Sequence, residues 1–501
     1  MEPSEVTRRC ELNKDYIGQS LQLNDIFSFT NVGEPVENPK VLFKGPTTKV
    51  VRRTFADAGF IVSESNSFNI CWGSPQPLDF MDKLQPGQLI AHICGQYCMV
   101  RKDNLSDLIE DAARRNPVFK QIAPKQFSLP AGLASFKLFA KLNKGFYALK
   151  SANAARGEGV KIVAWNDEFK VKDAVIQQYI PNPLLIDGKK FDLRVYVCVT
   201  SVDPLIAYVF KEGLGRFATK QYENPTDQNK NLKTVHLTNY SVNKQENEMD
   251  VNEYKWKLTD VLNWIQKEYK GQAKLMYGKT EKASARGEGE IKIPKLPKLS
   301  ETKVQNESTE DIITKPEEIA LKNLHHVICA TLIAAEPQLS SVSAQHGFNS
   351  LPRKQFGFYG FDLMFLEDLT VQLVEVNVNP STATESRIDQ DVKFWMLRDL
   401  FQLVGVKYHN NKGQTVIPSL KTNEERPKSG TVNVQEFKLL PGERRLGNGK
   451  ELSRYEELIK QEILAEKGRI GSFTRILPDK SYANLFANVK RLNQLCWDMQ
   501  W

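Results

Sequence analysis

The chain is 501 residues long, 41% hydrophobic and 26% charged, which suits a globular protein of about two to four domains and excludes a disordered polypeptide. Seven scattered cysteines do not form a disulfide framework, no run of about 18 apolar residues suggests a membrane span, and MEPSEVTRRC lacks the apolar core of a secretory signal, so a cytosolic protein is expected. The net charge of +8 and sequence pI near 8.9 favour an acidic partner, though a mild excess also serves solubility.

Residues 1–40 are polar, carry Pro35 and Pro39, and read as an irregular lead-in. Over 41–101, short apolar runs at 41–43, 60–62 and 68–72 alternate with a helical pattern at 49–58, a small α/β domain. Cys94 and Cys98 have no second pair nearby and read as core thiols, not zinc ligands. A central unit, 102–185, opens with a helix at 105–115 and a proline-marked loop at 124–130. Its strand at 146–150 runs through Lys150 into a small-residue loop with Arg156, Gly157 and Gly159, then a second strand at 161–164. Strand, small-residue loop, strand is the outline of a flap over phosphates, with Lys150 and Arg156 adding charge; taken alone it is more often the outline of a plain hairpin turn.

A third unit, 186–409, follows the strand at 175–179. In its strand at 190–200, Phe191, Leu193, Val195, Val197 and Val199 point one way, and Lys190, Asp192, Arg194, Tyr196 and Cys198 the other. A basic-acidic-basic trio on one face fits surface ion pairs or the wall of an anion site. Another strand at 205–210 turns at Glu212-Gly213-Leu214-Gly215 into a strand carrying Arg216. An amphipathic helix at 251–265, a polar, flexible insertion at 279–318, a helix at 317–335 and a helix at 389–404 complete the unit. A lysine- and proline-rich linker, 410–433, leads to an extension, 434–501, with helical patterns at 451–466 and 482–496. Their other faces carry Arg454, Lys460, Lys467, Arg469, Arg475, Lys480, Lys490 and Arg491.

The stretch 356–380 carries acids where a half-buried hairpin would carry apolar residues. A turn centred between Asp368 and Leu369 sets Asp362 opposite Glu375, and strand period two puts Asn377 on the same face. Two carboxylates and an amide then lie within roughly 5 Å per neighbouring pair. Like charges this close repel unless a cation intervenes, and hard oxygen ligands suit Mg²⁺ held with nucleotide phosphates. Ordinary surface acids on a solvated hairpin are the alternative.

Five motifs in order, Lys190-Phe-Asp-Leu-Arg-Val-Tyr-Val, Arg216-Phe-Ala-Thr, His236-Leu-Thr-Asn-Tyr-Ser, Gly360-Phe-Asp-Leu and Glu375-Val-Asn-x-x-Pro-Ser, resemble the tubulin-tyrosine-ligase-like family of ATP-grasp ligases. The resemblance implies an α/β ATP-grasp fold and an enzyme that uses ATP and Mg²⁺ to join an amino acid to a tubulin carboxylate. By position it implies that Lys150 contacts phosphates, Gln178, Tyr179 and Ile180 hold the adenine, and Lys190 contacts the nucleotide. Asp192 then sits near ribose or substrate, Arg194 and Arg216 bind phosphate and carboxyl groups, Thr238 and Asn239 complete the pocket, and Asp362, Glu375 and Asn377 ligate Mg²⁺. The wording Asn182-Pro-Leu-Leu-Ile-Asp-Gly188 and the segment from Lys467 to Pro478 resemble polyglutamylase members, with free L-glutamate as donor and a basic extension that grips acidic microtubules. Ser151 after the flap lysine and the Ala91-His-Ile-Cys-Gly95 stretch depart from that pattern, so glycine or tyrosine ligation, or a microtubule-binding protein with a vestigial ATP site, stays open. The resemblance further implies a monomer on cytoplasmic microtubules, cilium, basal body and centriole included, with no nucleic-acid or membrane partner.

Overall fold

The computed structural model describes residues 26–31, 34–35, 38–85, 87–151, 159–169, 173–238, 254–276, 315–348, 353–409 and 454–497. Arg156, Gly157, Asn239, most of the insertion and the linker therefore lie outside the described residues. The expected lead-in contains two short strands, β1 (Ile26–Asn31) and β2 (Glu34–Pro35). A parallel sheet follows, in the order β4-β3-β5-β6, from β3 (Lys40–Lys44), α1 (Lys49–Asp57), β4 (Ile61–Ser63), β5 (Ile70–Gly73) and β6 (Leu89–Ile90). Helix α1 forms on the spacing of Val51, Thr54 and Phe55, its buried face.

Past α2 (Lys102–Arg115), the strand β7 (Gln126–Leu129) and α3 (Leu133–Leu142) lead into β8 (Phe146–Ser151), β9 (Val160–Ala164) and β10 (Ala174–Gln178). These strands form an antiparallel sheet, β7-β10-β8-β9. The expected loop over 124–130 is instead largely an edge strand, because β10 supplies a ladder that a short local sequence does not reveal. Phe136 and Ala140 of α3 pack on Leu129, Tyr147 and Ile176.

The largest sheet gathers β11 (Leu185–Ile186), β12 (Lys189–Val202), β13 (Leu205–Phe217) and β14 (Lys255–Lys257). After α4 (Leu258–Glu268) and α5 (Pro316–Gln345) it takes in β15 (Gly357–Phe365) and β16 (Val371–Val378). The chain then runs through α6 (Arg387–Leu403) and β17 (Val406–His409), which pairs with β1, to α7 (Arg454–Lys467), β18 (Phe473–Leu477) and α8 (Arg491–Trp497). The main path is β14-β13-β12-β15-β16, with β11 on β12 and β18 on β13.

Both faces of this sheet are covered. Phe191, Leu193, Val195, Val197 and Val199 pack with Leu324, Ile328 and Leu332 of α5, whereas Tyr196 and Cys198 pack with Trp395, Met396 and Leu400 of α6. Helix α5 is long and apolar enough to cross a membrane, but Leu324, Ile328, Leu332 and Leu339 are fully buried in this core. The two strands of the acidic hairpin differ: all nine residues of β15 are buried, whereas β16 alternates between buried and half-buried, with Glu375 and Asn377 among the half-buried. Strand β13 does not turn at Glu212–Gly215. Its glycines serve close approach, since a Cβ on Gly213 would lie 2.7 Å from the Arg194 carbonyl oxygen and one on Gly215 3.1 Å from Val261 of α4.

The C-terminal segment differs most from expectation. It is no separate helical extension: β18 is hydrogen-bonded to β13, and the helix expected over 482–496 is a 3₁₀ turn, Lys480–Leu485, followed by the short α8. The 3₁₀ period of three puts Tyr482 and Leu485 together in the core, and the Asp479 carboxylate caps the turn by accepting from Ser481 N at 2.8 Å. Three of the eight cations on its expected basic faces form ion pairs within the chain. Lys490 pairs with Glu336, Arg491 with Glu456 and Arg469 with Glu462, while burial lowers Arg475 to about 10.

Asn323 of α5 ties the hairpin turn to the segment after α4. Its Nδ2 donates to the carbonyls of Lys274 (2.7 Å) and Leu369 (2.8 Å), and its Oδ1 accepts from Met276 N at 2.8 Å. Asn323→Ala leaves the buried Leu369 carbonyl without this partner, at about 1–3 kcal/mol, and frees the part-buried Lys274 carbonyl and Met276 N–H, which water can reach. We expect the urea midpoint of unfolding to fall, corresponding to a loss of about 1–3 kcal/mol.

Candidate nucleotide and metal site

Strands β15 and β16 pair Asp362 with Glu375 and Gly360 with Asn377, the register expected from the sequence. The route to it is different. Below Asp362 the pairs are Leu363 with Leu373, Met364 with Gln372 and Phe365 with Val371, so the turn is centred on Asp368 and a bulge at Val374 shifts the register by one. Leu369 closes the turn at φ +61°. The Val374 carbonyl oxygen lies 3.5 Å from Lys150 Nζ of β8, so the irregularity that presents Glu375 also meets the flap lysine.

Asp362 sits at the centre of a cross-strand grid of charges. Arg194 lies opposite it in register and donates from Nε at 2.5 Å and Nη2 at 3.0 Å. Arg216 lies opposite Asp192, donates to it at 2.7 and 2.5 Å, and reaches Asp362 at 2.9 Å. Burial disfavours the Asp362 carboxylate, but the guanidiniums of Arg194 and Arg216 outweigh it and hold the group well below the usual carboxylate range. Gly360 is required beneath them, since a Cβ there would lie 2.8 Å from Arg194 Cδ and 2.7 Å from Pro380.

Glu375 extends from this grid toward solvent, its carboxylate 3.5 Å from Lys102 Nζ. Asn377 Nδ2 donates to Glu375 Oε1 at 3.1 Å and approaches Asp362 Oδ2 at 3.4 Å. Among the described residues no three His, Cys, Asp or Glu side chains cluster as a metal site. The donor set here is two carboxylates and an amide, with the amide N–H directed where a small cation would meet both carboxylates. Turning the amide would offer its oxygen instead, so these residues fit a hard divalent cation that takes further ligands from phosphate or water.

The opposite wall carries lysines. Lys150 Nζ donates to Gln177 Oε1 at 2.6 Å, and burial lowers its pKa to about 8 against the pull of Glu375. Lys190 Nζ donates to Tyr179 Oη at 2.9 Å, and burial, opposed by Asp192, lowers it to about 7. Between these walls opens a solvent-facing cleft of about 830 Å³, counting the open solvent at its mouth. Of the expected site residues, Lys150, Gln178, Tyr179, Ile180, Lys190, Asp192, Thr238, Asp362 and Glu375 line it. Arg194, Arg216 and Asn377 stand behind that lining and act on it through Asp192, Asp362 and Glu375. Gly159, at φ +73°, opens β9 and is not part of the lining.

Lys102, Gln177, His236 and Met364 also line the cleft and escape the sequence reading as site residues. Lys102 left a signal: it is the first residue of α2, where the helix dipole disfavours a cation unless an anion faces it.

The sequence model of the tubulin-tyrosine ligase family matches residues 81–286 and 292–414, most of the chain. Tubulin polyglutamylase TTLL5 of Mus musculus is 28% identical over 464 residues, covering 86% of this chain and 31% of that protein. Tubulin monoglutamylase TTLL4 of Homo sapiens is 27% identical over 409 residues, covering 79% of this chain and 29% of that protein. Tubulin polyglutamylase TTLL7 of Homo sapiens is 26% identical over 470 residues, covering 89% and 48%. The chain thus spans about a third to a half of the length of these relatives. With a mixed α/β fold of several sheets, a cleft between lysine and carboxylate walls, and a family match running through both, the chain belongs to the tubulin-tyrosine ligase family.

Proposed function

We propose that the chain is an ATP-dependent carboxylate-amine ligase of ATP-grasp architecture that adds glutamate to glutamate side chains in the acidic C-terminal tails of tubulin. The observation that carries this reading is the convergence in one cleft of Lys150 and Lys190 with Asp362, Glu375 and Asn377. ATP, when bound with Mg²⁺, supplies the phosphoryl group that turns an unreactive side-chain carboxylate into an acyl phosphate open to the donor's amine, giving an isopeptide bond. In this reading Asp362, Glu375 and Asn377 hold the metal, Lys150 and Lys190 hold phosphates, and the backbone of Gln178, Tyr179 and Ile180 faces the adenine. Arg194 and Arg216 fix Asp192 and Asp362 and offer positive charge where two anions must approach, so catalysis rests on positioning and electrostatics, with no covalent enzyme nucleophile.

Lys255 pairs in register with Arg216, and Lys255 and Lys393 both bind one carboxylate, Asp389, at 2.5 and 2.8 Å, which keeps a basic residue beside Arg216 in the same sheet. The names of the relatives point to glutamate as donor, and tubulin as substrate implies a cytoskeletal setting. Recognition of tubulin by the basic C-terminal residues draws less support, because Arg469, Lys490 and Arg491 are paired within the chain.

Purified protein given ATP, Mg²⁺, microtubules and each labelled amino acid should incorporate glutamate; incorporation of glycine or tyrosine in its place would overturn the donor assignment. Glu375→Gln should lower turnover by about 100-fold or more, the scale of losing one preorganised charge, with microtubule co-sedimentation unchanged. Unchanged turnover would remove Glu375 from the metal set. Because Lys190 and Lys150 are depressed to about 7 and 8, both lose charge as pH rises, and bound phosphate restores it. ATP affinity should therefore fall between pH 7 and 9, and calorimetry in buffers of different ionisation enthalpy should record proton uptake on binding.

A further inference from the structure

The Lys190 ammonium is the end of a hydrogen-bonded chain whose direction the geometry fixes. Lys190 Nζ donates to Tyr179 Oη at 2.9 Å, and Tyr179 Oη lies 3.0 Å from His236 Nδ1. The second ring nitrogen, Nε2, lies 3.2 Å from the Asn229 carbonyl oxygen. A carbonyl only accepts, so Nε2 carries the hydrogen and Nδ1 of the neutral ring is an acceptor. The tyrosine hydroxyl has one hydrogen; it donates this to Nδ1 and receives Lys190 on its oxygen. Burial, with the Lys190 charge beside it, keeps His236 below its ordinary pKa, in keeping with a neutral ring.

The chain is built rigidly. Lys190, Tyr179 and His236 are 4%, 8% and 3% exposed, and the Tyr179 and His236 rings cross edge to face at 89° with centroids 5.6 Å apart. Asn229, which receives the histidine, is itself fixed: its Oδ1 accepts from Thr226 N at 2.7 Å and its Nδ2 donates to the Asn224 carbonyl at 3.0 Å. Tyr222 is part of the same network: its hydroxyl hydrogen-bonds the Tyr179 hydroxyl as well as Asn224 Oδ1, and its ring lies 5.8 Å from Lys190 Nζ, so with Nδ1 able only to accept, the Tyr179 hydrogen goes to His236 and Tyr222 meets the Tyr179 oxygen. One hydrogen of the ammonium is thereby used on Tyr179, which sets the tilt of the others at the cleft that Lys190 lines.

We propose that His236, acting through the Tyr179 hydroxyl, is a positioning residue that aims the Lys190 ammonium at the phosphate chain of a nucleotide in the cleft. This rests on the nucleotide reading above. It gives Tyr179 a role beyond its backbone and assigns one to His236, which opens the motif His236-Leu-Thr-Asn but has none in the adenine or metal set.

The test compares ATP with adenosine, which lacks phosphates, as competitors of a fluorescent nucleotide on the full chain. Tyr179→Phe and His236→Leu should each weaken ATP about tenfold, the scale of one hydrogen bond to a charged group, and adenosine by less than about twofold. The double variant should lose no more than either single, because the two groups act in series. His236→Asn, whose carbonyl can stand where Nδ1 accepts, should restore ATP binding to within about twofold of the parent. Equal weakening of ATP and adenosine, or ATP affinity unchanged in Tyr179→Phe, would overturn the proposal. Should His236→Leu fail to fold, the near-isosteric Tyr179→Phe carries the test alone. Failure of the parent protein to bind ATP would overturn the nucleotide reading and the positioning role together, whereas binding by the parent with no discrimination in the variants sinks only the second.

Discussion

Everything in the cleft depends on Asp362 being held between Arg194 and Arg216 inside a sheet covered on both faces. Charges buried this deeply are tolerated only in pairs with good geometry. Cross-strand register supplies that geometry twice, setting Arg194 against Asp362 and Arg216 against Asp192. A one-residue slip of β12 would carry Lys190, Asp192 and Arg194 into the packing of α5 and expose Leu193 and Val195 in their stead. The grid therefore fixes the register as firmly as the hydrophobic faces do, and the face it occupies turns apolar at Tyr196 and Cys198, where α6 covers it.

Strand alternation was enough to group most of this grid's members from the sequence, Arg216 excepted, whose role came from the family resemblance alone. Lys190, Asp192 and Arg194 share a face by period two, and Asp362, Glu375 and Asn377 by hairpin register. The agreement at Asp362 and Glu375 nonetheless arose from two offsets that cancel: the turn is centred on Asp368, and the bulge at Val374 restores the pairing. Bulges answer to tertiary contacts, here the approach of Lys150 to the Val374 carbonyl, and leave no period in the sequence. Gln177 and His236 were unreadable as site members for a related reason. Each reaches the cleft from an element placed by packing, and no local pattern records which elements meet. The glycines of β13 misled in the opposite direction, since a turn and a close approach ask for the same residue.

Charge counted along a sequence also differs from charge on a surface. The C-terminal residues read as two basic helix faces, yet Lys490, Arg491 and Arg469 meet Glu336, Glu456 and Glu462, and Arg353 meets Glu466 behind the main sheet. Tyr208 of β13 adds a 2.6 Å hydrogen bond to Glu466. The Glu466 contacts fasten α7 to the sheet that carries Arg216, and backbone pairing fastens β18 to β13, so this segment is part of the frame behind the grid. The excess of lysine and arginine that remains must be sought elsewhere, and the cleft holds a share of it.

There the balance of charge decides what can enter. Lys102, Lys150, Lys190, Arg194 and Arg216 face Asp192, Asp362 and Glu375, so the cleft and its backing carry more cations than anions when the lysines are protonated. The arginines already satisfy Asp192 and Asp362, and the lysines are left to desolvation, which is why Lys150 and Lys190 sit so far below an ordinary lysine. A divalent cation entering alone would find Glu375 as its one acid not committed to arginine, and would meet the repulsion of the lysines. A polyphosphate entering alone would satisfy the lysines but crowd Asp362 and Glu375. The two together neutralise both walls at once. In the proposed reading the charge pattern favours a metal-bound polyanion over either component, because Arg194 and Arg216 already neutralise Asp192 and Asp362 at the floor of the cleft.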